Sequence, residues 1–282
     1  MKRILIPTDF SENATNAIRY ALELFKYEET EFFIMHAYQD EIYVDDNLLT
    51  QQTLDELTKI ISDRTHEHLK KTLKQIKEIS QNSKHTFRIV SANSMLLDEA
   101  DKVIDEENID IVVMGTQGKT NDRKLTFGSH TLQVLKYVQC PVLAIPKDYI
   151  FKQPKHILFP NDYMIPYKQR ELKLLSEIAL PYKSTIDMLY ISTSNKLSLR
   201  QEHNQNFIKN KLGENKVNFK TKKSKNITKA IRKYIKEHNT DMLVMVNTRH
   251  SFLESILFQS TIDKMSLYMD IPFLALQNMR RY

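Results

Sequence analysis

The feature that most narrows what this chain can fold into is that it contains one pattern twice. Arg3-Ile4-Leu5-Ile6-Pro7-Thr8-Asp9, an apolar run closed by Pro-x-Asp, returns 153 residues later as His156-Ile157-Leu158-Phe159-Pro160-Asn161-Asp162. Further on, Asp110-Ile111-Val112-Val113-Met114 returns 131 residues later as Asp241-Met242-Leu243-Val244-Met245. The same interval carries Pro141-Val142-Leu143-Ala144-Ile145 onto Pro272-Phe273-Leu274-Ala275-Leu276. An interval held constant over about thirty residues marks a repeated architecture rather than coincidence. The two intervals differ by 22 residues, so the second copy is shorter in its middle and the first carries an insertion at 41–83. With 282 residues, two cores of ordinary size fit, and the expected domains are 1–150 and 151–282.

Within each copy, short apolar runs alternate with stretches of helical period, the pattern of an α/β fold. The first copy predicts strands near 2–7, 31–37, 86–91, 109–114 and 142–145, with helices near 11–26, 52–80, 95–107 and 129–138. Ser11 is the expected N-cap of the first helix, whose apolar side is Ala14, Ala17, Ile18, Ala21, Leu22 and Leu24. In the insertion, Leu54, Leu57, Ile61, Leu69, Leu73 and Ile76 predict one long packing helix with a charged outer side. The second copy predicts strands near 156–160, 185–191, 217–221, 241–246 and 273–276, and helices near 167–180, 226–238 and 260–269. Strands that are apolar throughout are covered on both faces, so each copy is expected to hold a five-stranded parallel sheet flanked by helices. Ligands of such Rossmann-like sheets sit beyond the carboxyl ends of the strands.

Composition removes several classes. Cys140 is the only cysteine, which excludes an internal disulfide framework and favours a reducing, cytoplasmic setting. Asp9 and Glu12 interrupt the apolar start before an export signal is complete. No apolar run approaches the roughly 18 residues that span a bilayer. The net charge of +6 is unevenly placed, because residues 1–150 carry 18 Lys/Arg against 24 Asp/Glu and residues 151–282 carry 23 against 11. A basic half suits an acidic partner, a nucleic acid or a merely solvated face.

Chemistry concentrates in one loop. Three of the four glycines fall between Gly115 and Gly128. Gly115-Thr116-Gln117-Gly118 follows the strand at 109–114, and Gly128-Ser129 opens the next helix. Bare backbone after a buried strand, with N–H groups at a helix start and Ser129 as cap and donor, is suited to cradling phosphate. Gly118-Lys119-Thr120 is not a Walker A loop, because that motif needs four residues between its first Gly and the Gly-Lys pair and only two stand between Gly115 and that pair. A G-x-G-x-x-G fingerprint is also missing after the first strand, where Pro7-Thr8-Asp9 stands.

The spacing G-x-x-G-x9-G-[ST], met by Gly115, Gly118, Gly128 and Ser129, resembles the universal stress protein family in its ATP-binding branch. Pro-Thr-Asp-Phe-Ser at 7–11 and Cys-Pro-Val-Leu-Ala at 140–144 carry the same resemblance, which covers 1–147 and more faintly 154–277. It implies an adenine nucleotide alpha hydrolase-like fold and ATP, with or without Mg, as ligand. By that resemblance Pro7, Thr8 and Asp9 lie on the ribose or adenine side, and Ala37 beside the adenine through its backbone. Met114 and Gly115 line the ribose and phosphate path, while Gly118, Gly128, Ser129, His130 and Thr131 surround the phosphates. Structural alternatives are that Asp9 and Ser129 only cap helices and that His130 is an ordinary surface histidine.

The second copy departs from the pattern, with Val246, Arg249 and Gln259 where the first has Gly115, Gly118 and Gly128. No ATP is expected there, although Asp162 and Ser260 persist. Nothing supplies an evident base or metal ligand for hydrolysis. His66-Glu67-His68 lacks the spacing of a helical zinc site. The leading expectation is a stress-response binding protein whose ATP occupancy changes what it docks to, not an enzyme, although slow hydrolysis is left open. The alternative is a nucleotide-free scaffold working through protein contacts. The resemblance also implies pairing of Val142–Ile145 with Phe273–Leu276 within one chain and leaves room for a homodimer beyond it. No membrane contact is expected, and Lys220, Lys222, Lys223, Lys225, Lys229, Arg232, Lys233 and Lys236 lack the interleaved aromatics of a nucleic-acid surface.

Overall fold

The computed structural model describes residues 1–44, 53–117, 127–194, 196–247 and 270–278. The chain divides into two compact units, Met1–Phe151 and Lys152–Tyr282.

In the first unit the elements run β1 (Lys2–Pro7), α1 (Glu12–Leu24), β2 (Thr30–Ala37), α2 (Gln39–Val44), α3 (Leu54–Ile79), β3 (His85–Ala92), α4 (Leu96–Glu106), β4 (Ile111–Gly115), α5 (Ser129–Tyr137) and β5 (Val142–Ile145). The strands lie in the order β3-β2-β1-β4-β5, all parallel. The order reverses between β1 and β4, which opens a crevice at their carboxyl ends. The strands are apolar because helices cover both faces: Ile4, Leu5, Phe32, Phe33, Val112, Val113 and Leu143 are fully buried. Each such side chain contributes about 1.5–3 kcal/mol by leaving water. Helix α1 starts where Ser11 Oγ accepts from Ala14 N at 3.1 Å, and it turns Ala17, Ile18 and Ala21 onto the sheet. The α3 helix runs 26 residues from a capping box of Thr53 and Glu56, burying Leu57, Ile61, Leu69 and Ile76. Leu54, in its first turn, stays half exposed, so the apolar stripe begins one turn later than its sequence suggests.

The second unit runs β6 (His156–Pro160), α6 (Gln169–Ala179), a short 3₁₀ turn (Leu180–Tyr182), β7 (Thr185–Ser192), α7 (Leu199–Lys211), β8 (Lys216–Lys223), α8 (Ile227–Glu237), β9 (Met242–Asn247) and β10 (Phe273–Gln277). Its order, β8-β7-β6-β9-β10, and its parallel pairings repeat those of the first unit. Helix α7 is an element that periodicity misses, because only Gln201 and Ile208 along it are buried. Its readable signal is the capping box Ser198-x-x-Gln201. The short α2 helix is likewise hidden in the insertion, and the helix expected at 260–269 lies outside the described residues. No described helix is long and apolar enough to cross a membrane.

Candidate functional site

A cavity of about 260 Å³ opens at the reversal point of the first unit. Pro7, Thr8 and Asp9 reach it from the end of β1, His36 and Ala37 from β2, and Met114 and Gly115 from β4. Gly128, Ser129, His130 and Thr131 close it from the start of α5. Every predicted site residue among the described ones lines this one space; Gly118 lies outside them. Ala14, His36, Asp40, Glu41, Leu96 and Gln117 complete the wall.

The turn after β1 is held by its own side chains. Asp9 Oδ1 accepts from Ser11 N at 3.1 Å, Thr8 Oγ1 accepts from Phe10 N at 3.0 Å, and Phe10 sits at φ 64°. Asp9 therefore fixes the entry to α1 while Ser11 does the capping, and the half-buried Asp9 still faces the cavity.

Ser129 does not take the predicted cap position. Gly128 is the N-cap, extended at φ −67° and ψ 162°, and Ser129 is already helical, so its hydroxyl cannot reach back to the first-turn amides. No side chain caps α5. Among the described residues its first N–H groups have no side-chain cap at the cavity edge, where the helix dipole favours an anion. Buried Thr131 ties this helix to β4 by donating Oγ1 to Gly115 O at 3.0 Å.

Gly115 also departs from its sequence reading, in which bare backbone leaves room for ligand. A Cβ built there would stand 2.8 Å from Asn13 Nδ2 and 3.0 Å from Asn13 Cγ. The glycine makes room for Asn13, whose Nδ2 donates to Gln117 O and so anchors the start of the loop. Asn13 carries no motif signal; only the close approach of α1 to β4 reveals it.

The acidic rim is a second feature that sequence reasoning passed over. Buried His36 places Nδ1 2.6 Å from Thr8 O and Nε2 3.1 Å from Glu41 Oε1. A carbonyl only accepts, so Nδ1 carries a proton and donates. Glu41 Oε2 in turn accepts from Arg64 of α3 at 2.9 Å. Asp40 Oδ2 lies 3.5 Å from His130 Nε2, both exposed, across the cavity mouth. The readable signal is the acidic pair directly after the carboxyl end of a buried strand, the end at which ligands sit.

At the corresponding end of the second unit, Val246 follows Met245 in β9, and Asn247 Nδ2 donates to Gln277 Oε1 at 2.9 Å. Gln277 N donates to the buried Glu171 carboxylate at 3.2 Å.

The sequence pattern of the universal stress protein family matches residues 1–146. The chain belongs to this family. Universal stress protein MJ0577 of Methanocaldococcus jannaschii is 27% identical over 154 residues, 52% of this chain and 95% of the relative. Universal stress protein MJ0531 of the same organism is 28% identical over 148 residues, 52% of this chain and 82% of its own. A crystal structure of a universal stress protein from Archaeoglobus fulgidus superposes with a TM-score of 0.71 at 16% identity, covering 98% of this chain and 96% of that one. The sequence likenesses thus cover about half of this universal stress protein, whereas its fold likeness runs the whole length.

Proposed function

We propose that the first domain, residues 1–150, binds ATP in the cavity above β1 and β4, and that occupancy regulates what the protein docks to in a stress response. The observation that carries this reading is convergence. Residues from β1, β2, β4 and the start of α5, far apart in the chain, face one space of about 260 Å³. Its chemistry is graded. Ala37, Met114 and Leu96 suit an apolar ring, Asp9 suits sugar hydroxyls, and the first-turn amides at Ser129–Thr131 suit phosphate. Acids at the rim set a limit on the phosphate end, which a divalent cation such as Mg would relieve. The role proposed is binding rather than turnover, because the sequence offers no evident base or metal ligand for hydrolysis. The second domain, 151–282, is proposed to bind no ATP.

The test is bound nucleotide in freshly purified protein, together with ATP titration by calorimetry. Gly118→Arg, which copies Arg249, is expected to remove ATP binding and leave the circular dichroism spectrum unchanged. Normal affinity in that variant would place the phosphates elsewhere.

A further inference from the structure

Helices α4 and α8 are the same element in the two units, since 131 residues carry Leu96–Glu106 onto Ile227–Glu237 from end to end. Their inner faces keep one chemistry. Ala100 and Val103 are buried in the first, Ile231 and Tyr234 in the second. Their outer faces do not. Asp98, Asp101 and Asp105 are replaced, position for position, by Lys229, Arg232 and Lys236. Three residues at i, i+3 and i+7 share a helix face and span about 10 Å.

Five of the six stripe charges are left unpaired at home among the described residues. Nearby cations of the first unit are used elsewhere, Lys102 on Glu99 at 3.7 Å and Arg88 on Glu107 at 3.0 Å. Glu237, the acid of α8, takes both Lys222 and Lys233. Among the described residues, Asp98, Asp101, Asp105, Lys229 and Lys236 have no ion-pair partner. Asp98, Asp105, Lys229 and Lys236 are exposed. Partial burial, then the charges of Asp105 and Asp98, holds the Asp101 carboxyl above its ordinary range.

We propose that this protein self-associates by laying the acidic stripe of α4 in one copy against the basic stripe of α8 in a second copy. A second copy is the occupant that accounts for both stripes at once, because each chain carries the two complementary faces on one repeated helix. Antiparallel docking sets Asp98 opposite Lys236, Asp101 opposite Arg232 and Asp105 opposite Lys229, and it also opposes the two helix dipoles. Two copies close on each other with two such contacts, or extend as a chain where the rotation does not close. Exposed ion pairs are individually weak, so the contact is reversible and sensitive to salt.

Sedimentation velocity of the full chain at about 0.1 mM, in about 50 mM and about 500 mM salt, tests this. The expected result is a mass above the 33.3 kDa monomer at low salt that falls to the monomer at high salt. The triple variants D98K/D101K/D105K and K229D/R232D/K236D are each expected to weaken association about tenfold or more. Mixing the two is expected to restore it, as is combining all six changes in one chain. Single swaps, D105K and K229D, provide the same comparison with a smaller burden on folding. A monomeric wild type at low salt overturns the proposal, as does unchanged association in either triple variant or no rescue on mixing. A monomeric protein that binds a 20-base-pair duplex through the α8 lysines also overturns it, by assigning that stripe to a polyanion.

Discussion

The two units turn the same corner and finish it differently. Asp9 Oδ1 accepts from Ser11 N at 3.1 Å with Phe10 at φ 64°, and Asp162 Oδ1 accepts from Met164 N at 2.9 Å with Tyr163 at φ 56°. Beyond that shared turn, the first unit leaves a cavity between β1 and β4. In the second, described side chains bond to the turn and to one another. Tyr167 is buried and stacks on Phe159 at 5.5 Å, and burial pushes its hydroxyl pKa up. Gln201 and Asn204 of α7 donate to the carbonyls of Asp162 and Tyr163 at 2.7 Å each. Glu171, Asn247 and Gln277 form a buried polar cluster in which a carboxylate stands near the strand ends. A repeat can thus keep its turn chemistry while different side chains gather beyond the turn, because the turn depends on local hydrogen bonds and its surroundings on which side chains enter from elsewhere.

The largest expected effect comes from giving the first unit the residue of the second. Gly115→Val adds its Cβ within 3.0 Å of the Asn13 amide, which must then release Gln117. Overpacking of this kind costs about 1–3 kcal/mol, and ATP affinity is expected to fall about 100-fold as the loop start is displaced. Urea denaturation and calorimetry on the same protein check both, and unchanged values for both would remove Asn13 from the account.

The next concerns the strands. Leu5 faces Phe33, and Leu158, its counterpart, faces Asp187. Where the first unit buries a ring, the second buries a carboxylate that accepts from Asn218 at 2.8 Å, Tyr234 at 2.7 Å and Lys220 at 3.1 Å. Burial pushes the Asp187 pKa up, but those hydrogen bonds and the Lys220 charge outweigh it and hold it below the usual range. A depressed folded-state pKa adds stability above the ordinary carboxylate range, and that stability is lost as pH falls through and below it. Asp187→Asn is expected to cost about 2 kcal/mol near neutral pH. The gap to wild type should narrow in urea titrations below about pH 4; a gap independent of pH would count against the ionised network.

The smallest effect is at the cavity mouth. Asp40→Asn removes a carboxylate 3.5 Å from His130, at the proposed phosphate end. ATP affinity is expected to rise about two- to fivefold at low salt, with the gain fading as salt screens the site. A loss of affinity would instead make Asp40 a ligand contact.

Much of the strand pattern was readable because buried parallel strands are written as apolar runs bounded by Pro, Asp and Gly. The strand at 142–145, for example, matches β5 at both ends. Helix α7 was not readable, because it buries few residues and is placed by Gln201 and Asn204 bonding to the turn after β6. The glycine loop announced itself by spacing, whereas His36 and Asn13 gain meaning only from neighbours in space, and Asp40 and Glu41 signal only by following a buried strand.

The amino-acid sequence alone determined the duplication, the α/β class and the concentration of glycine after β4, since each follows from local pattern and backbone preference. Tertiary structure decided that Gly115 accommodates Asn13, that Gly128 rather than Ser129 caps α5, and that α2 brings acids to the cavity rim. Those outcomes depend on which side chains meet across elements separated in sequence, and distance along a chain does not encode distance in space.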